Sequence, residues 1–321
     1  MKLRGRRVLV TGGAGFLGTP VCGLLEEQGA EVTVPRSADC DLTSAPAAAL
    51  VLAGARPEVV IHLAAEVGGI GANQSQPGRF FYANMAMGLN LIEAARAQGV
   101  EKFVQVGTVC SYPRETPVPF REHSLWDGYP EETNAPYGIA KKALLTMLQA
   151  YRQQYDFPGI YLMPANLYGP GDNFSPSTSH VIPALIERFQ SALDTGGEHV
   201  TCWGTGEASR EFLHVEDCAR AIVLATERYG DPEPVNLGAG GEIRIRELAE
   251  LLALLMGFTG EIRWDHTRPD GQPRRSLDTA LAWERFGFRA STPLEEGLRA
   301  TVEWYRRRAS QAASAASARD P

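Results

Sequence analysis

Tyr137 and Lys141 stand four residues apart in the stretch YGIAK, a spacing that on a helix puts both side chains on one face. A phenol with an ordinary pKa of about 10 is a poor acid or base at neutral pH, and an ammonium beside it stabilises the phenolate. Upstream, GTVCSYP places a hydroxyl at Thr108 and a thiol at Cys110, just past an apolar run that reads as a buried strand. The Thr108 hydroxyl can hydrogen-bond a carbonyl oxygen. Cys110 has two readings, a small apolar filler or a group that carries a proton. Near the N-terminus, GGAGFLG follows RRVLVT directly. Gly12, Gly15 and Gly18 between a strand and a helix allow a tight turn and let backbone N–H groups approach a pyrophosphate at the positive end of the helix. Glycine loop, phenol, ammonium and hydroxyl together describe a site for hydride transfer between a nicotinamide and a carbonyl, the protein supplying proton and orientation.

Those residues need a scaffold, and the periodicities of the chain predict one. RRVLVT, EVTV, PEVVIHLAA, EKFVQVGT and GIYLMPANLYG read as strands separated by helical patterns, one of which runs from about Asn134 to Tyr155 and carries Tyr137 and Lys141. Such alternation predicts an α/β fold, a Rossmann-like doubly wound parallel sheet with a smaller C-terminal substrate-binding α/β domain. The boundaries fall at 1–168 for the NAD(P)-binding Rossmann domain and at 169–308 for most of the second, from which a segment can return to the Rossmann domain. The Ala- and Ser-rich tail, 309–321, is expected to be disordered. After the second strand, Val34-Pro35-Arg36-Ser37 lacks the acidic residue that holds an adenosine ribose 2′-hydroxyl. Arg36 is either a solvated charge or the partner of a 2′-phosphate, which favours NADP and leaves NAD open.

Composition narrows the classes. Of the 321 residues 44% are hydrophobic and 21% charged, with a formal net charge of -7, so there is no overall attraction to nucleic acid and local basic residues read as ligands for particular anions. A nucleotide-linked substrate suits that pattern. No apolar run approaches the roughly 18 residues that cross a membrane, and the N-terminus has no signal-peptide core; the cytoplasm is the expected compartment. The cysteines, 22, 40, 110, 202 and 218, are scattered without a CxxC pair, which predicts free thiols, no disulfide framework and no metal site.

Longer stretches carry a resemblance. GGAGFLG, HLAA, YGIAK and the Thr108 position resemble the extended short-chain dehydrogenase/reductase (NAD-dependent epimerase/dehydratase) family that acts on nucleotide sugars. HLAAEVGGIGAN, GTVCSYP, ETNAPYGIAK, PANLYGPGDNFSPSTSHVIPALIERF, SREFLHVED and RPDGQPRRSLD resemble its GDP-L-fucose synthase branch, over about residues 6 to 305. The resemblance implies an NADP(H)-dependent enzyme that epimerises a GDP-4-keto-6-deoxy-hexose at C3 and C5 and reduces its C4 ketone. It implies Thr108, Tyr137 and Lys141 as the reductase triad and Cys110 with His180 as the epimerisation acid–base pair. Asn166, Arg188, Trp203, Arg210 and Arg275 match positions around the nucleotide sugar. Implied cofactor contacts are Phe16 and Leu17 with the loop glycines, Arg36, Asp41 and Leu42, then Leu63, Ala64 and Ala65, with Tyr137 and Lys141. A homodimer through the Tyr137 helix and a helix near Asn84 to Gln98 is implied as well.

The implied chemistry is coherent. A ketone at C4 acidifies the protons at C3 and C5, so inversion needs a base, an acid and a hydroxyl to hold the enolate oxygen. Thr108 stands where serine is usual in that branch and still offers a hydroxyl. Two other readings stay open: a C4 epimerase or reductase of another nucleotide-linked sugar, such as a heptose, with bound NAD(P), and a non-catalytic redox-sensing Rossmann protein. A sensor has no use for Tyr137, Lys141, Cys110 and His180 together. A 4,6-dehydratase would want a carboxylate pair after Thr108, where Val109 and Cys110 stand.

Overall fold

The computed structural model describes residues 1–176, 178–268 and 270–317. Five strands from the first half of the chain, β1 (Arg7–Thr11), β2 (Glu31–Thr33), β3 (Val59–His62), β4 (Lys102–Val106) and β5 (Gly159–Pro164), form a parallel sheet. A sixth, β10 (Pro234–Leu237), comes from far down the chain and pairs with β5, giving the order β10-β5-β4-β3-β1-β2. β3, β4 and β5 are buried along their whole lengths, which is why they read as continuous apolar runs and not as alternating ones.

Right-handed crossovers put the helices on both faces. On one side α2 (Ala45–Ala55), α4 (Pro77–Ala97) and α5 (Ala135–Tyr155) pack side by side, with the short α3 (Ile70–Ser75) leading into α4; on the other α1 (Gly18–Glu27) packs on α7 (Val215–Arg228). From β1 the chain steps outward to β2, and from β3 it steps the opposite way to β4 and β5. A crevice opens at that reversal, beyond the carboxyl ends of the strands, where ligands of open α/β sheets bind. GGAGFLG leaves β1 there and Leu63-Ala64-Ala65 leaves β3. The two loops touch: Gly12 has φ +73°, and a Cβ on it would lie 2.8 Å from the Ala64 nitrogen.

The second unit is built from small sheets: β6 (Asn166–Tyr168) beside β9 (Phe212–His214), β7 (His199–Trp203) beside β12 (Glu261–Asp265), and β8 (Ser209–Arg210) between β11 (Ile243–Arg244) and β13 (Arg274–Arg275). Its core joins Ile182, Ile186 and Phe189 of α6 (Val181–Thr195), Leu248 and Leu252 of α8 (Ile245–Met256), and Leu298 and Val302 of α10 (Leu294–Ser317). Between these pieces the chain goes back to the first core. Cys218 and Ile222 of α7, Val235 and Leu237 of β10 and Phe286 of α9 (Ala280–Phe286) all bury in it. The tail expected to be disordered from 309 instead continues α10 as far as Ser317, and 318–321 lie outside the described residues. Alanine is the best helix former, so an Ala-rich run prolongs a helix already nucleated by packing.

β10 also holds the loop that carries Cys110. Asn236 is fully buried and accepts the Tyr112 hydroxyl at 2.8 Å. Its amide donates to the Phe120 carbonyl at 2.9 Å and the Asp278 carbonyl at 3.1 Å. An apolar residue in its place leaves the Tyr112 hydroxyl and the Asp278 carbonyl without that partner, while the Phe120 carbonyl keeps the Asp278 N–H. Asn236→Leu is therefore expected to cost roughly 2–4 kcal/mol and to lower the melting temperature by several degrees, read by calorimetry of the ligand-free protein; an unchanged melting temperature would mean water replaces all of these bonds.

Candidate active site

A cleft of about 1350 Å³ runs from the glycine loop to the second unit. The structure brings every residue singled out from the sequence to its walls. Gly12, Gly15, Phe16, Leu17 and Gly18, with Arg36, Asp41 and Leu42 and then Leu63, Ala64 and Ala65, line the Rossmann side. Thr108, Cys110, Tyr137 and Lys141 lie at the strand ends, and Asn166, His180, Arg188, Trp203, Arg210 and Arg275 line the far side.

The strand-end group is fixed by backbone contacts. Past β4, Thr108 caps a single 3-10 turn, Val109–Ser111, and its hydroxyl oxygen accepts the Cys110 N–H at 3.2 Å. The Ser111 hydroxyl donates to the Gly138 carbonyl at 2.9 Å. Gly138, next to Tyr137 in α5, lies so close to the turn that a Cβ there would overlap the Cys110 carbonyl oxygen. The helix bearing the phenol and the turn bearing the thiol are thus locked backbone to backbone.

Burial governs the ionisation of this group. Desolvation pushes the Tyr137 phenol above its ordinary value, the Cys110 side chain adds to the rise, and a hydrogen bond from Thr108 opposes it. Lys141, also buried, donates to the Val106 carbonyl at 3.2 Å, and desolvation lowers its ammonium to about 8. The sequence reading paired this ammonium with a phenolate. In the structure the ammonium is satisfied by a backbone carbonyl and the phenol keeps its proton, the form that can donate to a developing oxyanion.

Two arginines face the thiol. Arg275, 6% exposed, directs Nη1 at the Cys110 Sγ, 3.4 Å away. Arg210 sits opposite Arg275 in the register of β8 and β13. Its guanidinium donates to the carbonyls of Ser209 at 2.7 Å and Asp270 at 3.1 Å, and burial, followed by the Arg275 charge, lowers it to about 10. Among the described residues no carboxylate lies within salt-bridge distance of either guanidinium. Two cations side by side in a cleft make a site for anionic groups. His180 precedes the first turn of α6, and desolvation pushes its imidazole below its ordinary value. The loop before it is tied down on two sides, by the Gly69 N–H donating to the Thr178 carbonyl at 3.1 Å and by the Phe174 ring against Trp304 and Tyr305 of α10.

Some residues of the cleft or packed against its lining escaped the sequence reading. Arg268 lies 5.0 Å from the Trp203 ring centre, opposing Arg188 at 5.7 Å, so the indole carries two cations. Arg79 forms an ion pair with Glu66 at the mouth. Asp172 is 6% exposed; its Oδ1 accepts the Asn173 N–H at 2.7 Å while Oδ2 has no partner. Arg268 and Asp172 lie in stretches quoted for other reasons, and nothing in a polar loop announces a buried carboxylate.

The family model of the NAD dependent epimerase/dehydratase family matches residues 8–238. The chain belongs to that family. Within this epimerase/dehydratase family, GDP-L-fucose synthase 1 of Arabidopsis thaliana is 41% identical over 306 residues, covering 95% of this chain and 94% of that one. Among solved structures, a GDP-L-fucose synthetase from Naegleria fowleri bound to NADP superposes with a TM-score of 0.87 at 27% identity, covering 96% of each chain. A GDP-6-OMe-4-keto-L-xylo-heptose reductase from C. jejuni does so with a TM-score of 0.89 at 26% identity, over 96% of this chain and 99% of that one.

Burial pushes the Asp172 carboxyl up to about 7. An unfolded aspartate releases its proton near pH 4, so the folded protein holds a proton that the unfolded one has lost, and stability falls as pH rises from about 4 to about 7. Asp172→Asn keeps the Oδ1 acceptor and has no proton to lose. The variant is expected to be more stable than the parent at pH 7.5 and nearly equal at pH 4 by chemical denaturation; the same difference at both pH values would remove the buried carboxyl as its cause.

Proposed function

We propose that this chain is an NADPH-dependent epimerase/reductase of the GDP-L-fucose synthase type, which inverts C3 and C5 of a GDP-4-keto-6-deoxy-hexose and then reduces C4. The observation that carries the reading is the Cys110 thiol, lying beside Tyr137 with the Arg275 guanidinium on its sulfur, in one cleft with His180. A reductase or epimerase acting at C4 alone, the reading suggested by the likeness to the heptose reductase, uses Tyr137 and Lys141 and has no work for that thiol.

As the thiolate, its charge balanced by Arg275, Cys110 takes the proton from the carbon next to the C4 ketone and becomes the neutral thiol. Tyr137 and Thr108 donate to the C4 oxygen and hold the enolate while His180 returns a proton to the opposite face. When C4 is reduced, the same Tyr137 gives its proton to the C4 oxygen. Bound NADPH supplies the hydride. The residues fit that cofactor: Gly12, where a Cβ would press on the Ala64 backbone, lets the two loops meet at the cleft wall, and the N-terminus of α1 would receive the pyrophosphate. Arg36 at the cleft wall would pair with the 2′-phosphate, and Lys141 would hold the nicotinamide ribose. Arg210 and Arg188 hold the diphosphate, and Asn166 and Trp203 border the sugar and nucleoside.

Free thiols throughout suit the cytoplasm. A homodimer belongs to this reading too: Phe81, Tyr82 and Leu89 of α4 and Tyr155 of α5 are exposed on the two helices that pack against each other. Light scattering is expected to give the mass of two chains, and that of one chain for the double variant Phe81→Glu, Leu89→Glu; a monomeric parent would discard the dimer.

In deuterated water the product is expected to carry deuterium at C3 and C5. Cys110→Ser should slow that incorporation by roughly a hundredfold or more and still transfer hydride to an unepimerised ketone. Tyr137→Phe should abolish reduction while leaving NADPH binding intact. Parent product without deuterium at either carbon would reduce the reading to a C4 enzyme, and near-normal turnover of Tyr137→Phe would remove the hydride-transfer assignment.

A further inference from the structure

Arg275 does not hold its place on sulfur unaided. Its Nε donates to the Gln272 Oε1 at 3.1 Å, and Gln272 is itself 4% exposed. On the other side the Gln272 amide nitrogen donates to the Arg114 carbonyl at 2.8 Å and approaches the Pro113 carbonyl at 3.4 Å. The two carbonyls fix the amide: only the NH2 end can face them, so Oε1 must face the guanidinium. Pro113 and Arg114 follow Cys110 in the same loop, whereas Arg275 belongs to the second unit. A single buried amide therefore spans from the backbone behind the thiol to the cation in front of it. The other polar groups facing Cys110 are Tyr137 from α5, Arg210 from β8 and Thr108 from its own turn. None of them carries a negative charge that competes for Arg275.

We propose that Gln272 is a positioning residue for epimerisation, holding the Arg275 guanidinium against Cys110 so that this cation serves the thiolate and not the diphosphate of the substrate. The inference rests on the epimerase reading above, and it reassigns Arg275 from the nucleotide-sugar contacts expected from the sequence to the proton-transfer step. Arg210 is left as the neighbouring cation free to meet phosphate. The proton balance is unchanged: Cys110 takes the proton from carbon, and Arg275 keeps all of its own.

The test is a double-mutant cycle of Gln272→Leu and Arg275→Lys, reading deuterium exchange at C3 and C5 beside single-turnover hydride transfer from NADPH to the 4-keto sugar. Lysine keeps the charge and loses the Nε donor that Gln272 receives. Gln272→Leu is expected to slow exchange about tenfold, the scale of one charge-assisted hydrogen bond, with hydride transfer changed less than about twofold and NADPH binding intact. In the Arg275→Lys background the same change should add little, because the coupling is already broken. Exchange unaffected by Gln272→Leu, exchange and hydride transfer falling together, or fully additive effects would each overturn the proposal. Where Gln272→Leu fails to bind NADPH, Gln272→Met, unbranched and closer in shape, replaces it in the cycle. Parent enzyme without any exchange would sink the epimerase reading itself, which is a different result from exchange that ignores Gln272.

Discussion

The contact on which the site depends is between two pieces of backbone: Gly138 in α5 against the carbonyl of Cys110 in the turn after β4. It brings the axis of the phenol-bearing helix up to the thiol-bearing turn with no side chain between them. Tyr137, Thr108 and Cys110 then share one small volume, and a sugar ring placed there meets a hydroxyl pair at its ketone and a thiol at the adjoining carbon. On the proposed reading one binding pose serves two reactions, because the same tyrosine would first hold an enolate oxygen and then protonate an alkoxide. A larger residue at 138 would separate the groups whatever their identities.

Around that contact the protein concentrates groups that are costly to bury. Tyr137, Lys141, Asp172, Arg210 and Arg275 are shielded from water, and burial acts against the charged form of Lys141, Asp172 and Arg210. The opposite tendency appears elsewhere. Asp217, in the first turn of α7, accepts the Ser291 and Thr292 N–H groups at 3.0 and 2.9 Å and pairs with Arg220, so a carboxylate used only for structure is fully satisfied. A buried carboxylate with one oxygen unpartnered, Asp172, lines the cleft, whereas Asp217 outside it is fully paired.

Much of this was legible beforehand. β1, β3, β4 and β5 were readable because strands buried on both faces are continuous apolar runs, and the glycine loop was readable from its place between strand and helix. β10 was not: four residues bounded by proline and glycine carry too little pattern, and its partner β5 lies some seventy residues earlier in the chain. The candidate residues were named through long shared motifs, which report identity and not geometry. Hence the motifs did not foretell that the Arg275 guanidinium meets a sulfur 165 positions away, or that the Lys141 ammonium donates to the Val106 carbonyl. Pairings of that range have no local signature. The tail erred for a simpler reason, since Ala-rich composition resembles disorder until a packed helix precedes it.

The late arrival of β10 has a consequence for the life of the chain on the ribosome. When synthesis has passed Pro164, β5 is the open margin of a growing parallel sheet, apolar along its length and with unpaired N–H and C=O groups ready to accept any extended segment. Its proper neighbour emerges only with Pro234, which at usual elongation rates is on the order of several seconds later. Until then the nascent polypeptide carries an unpaired edge, and the loop behind Cys110 lacks the Asn236 bonds that later help to hold it. Vectorial synthesis thus makes the half of the protein that looks autonomous the half most exposed to misassembly.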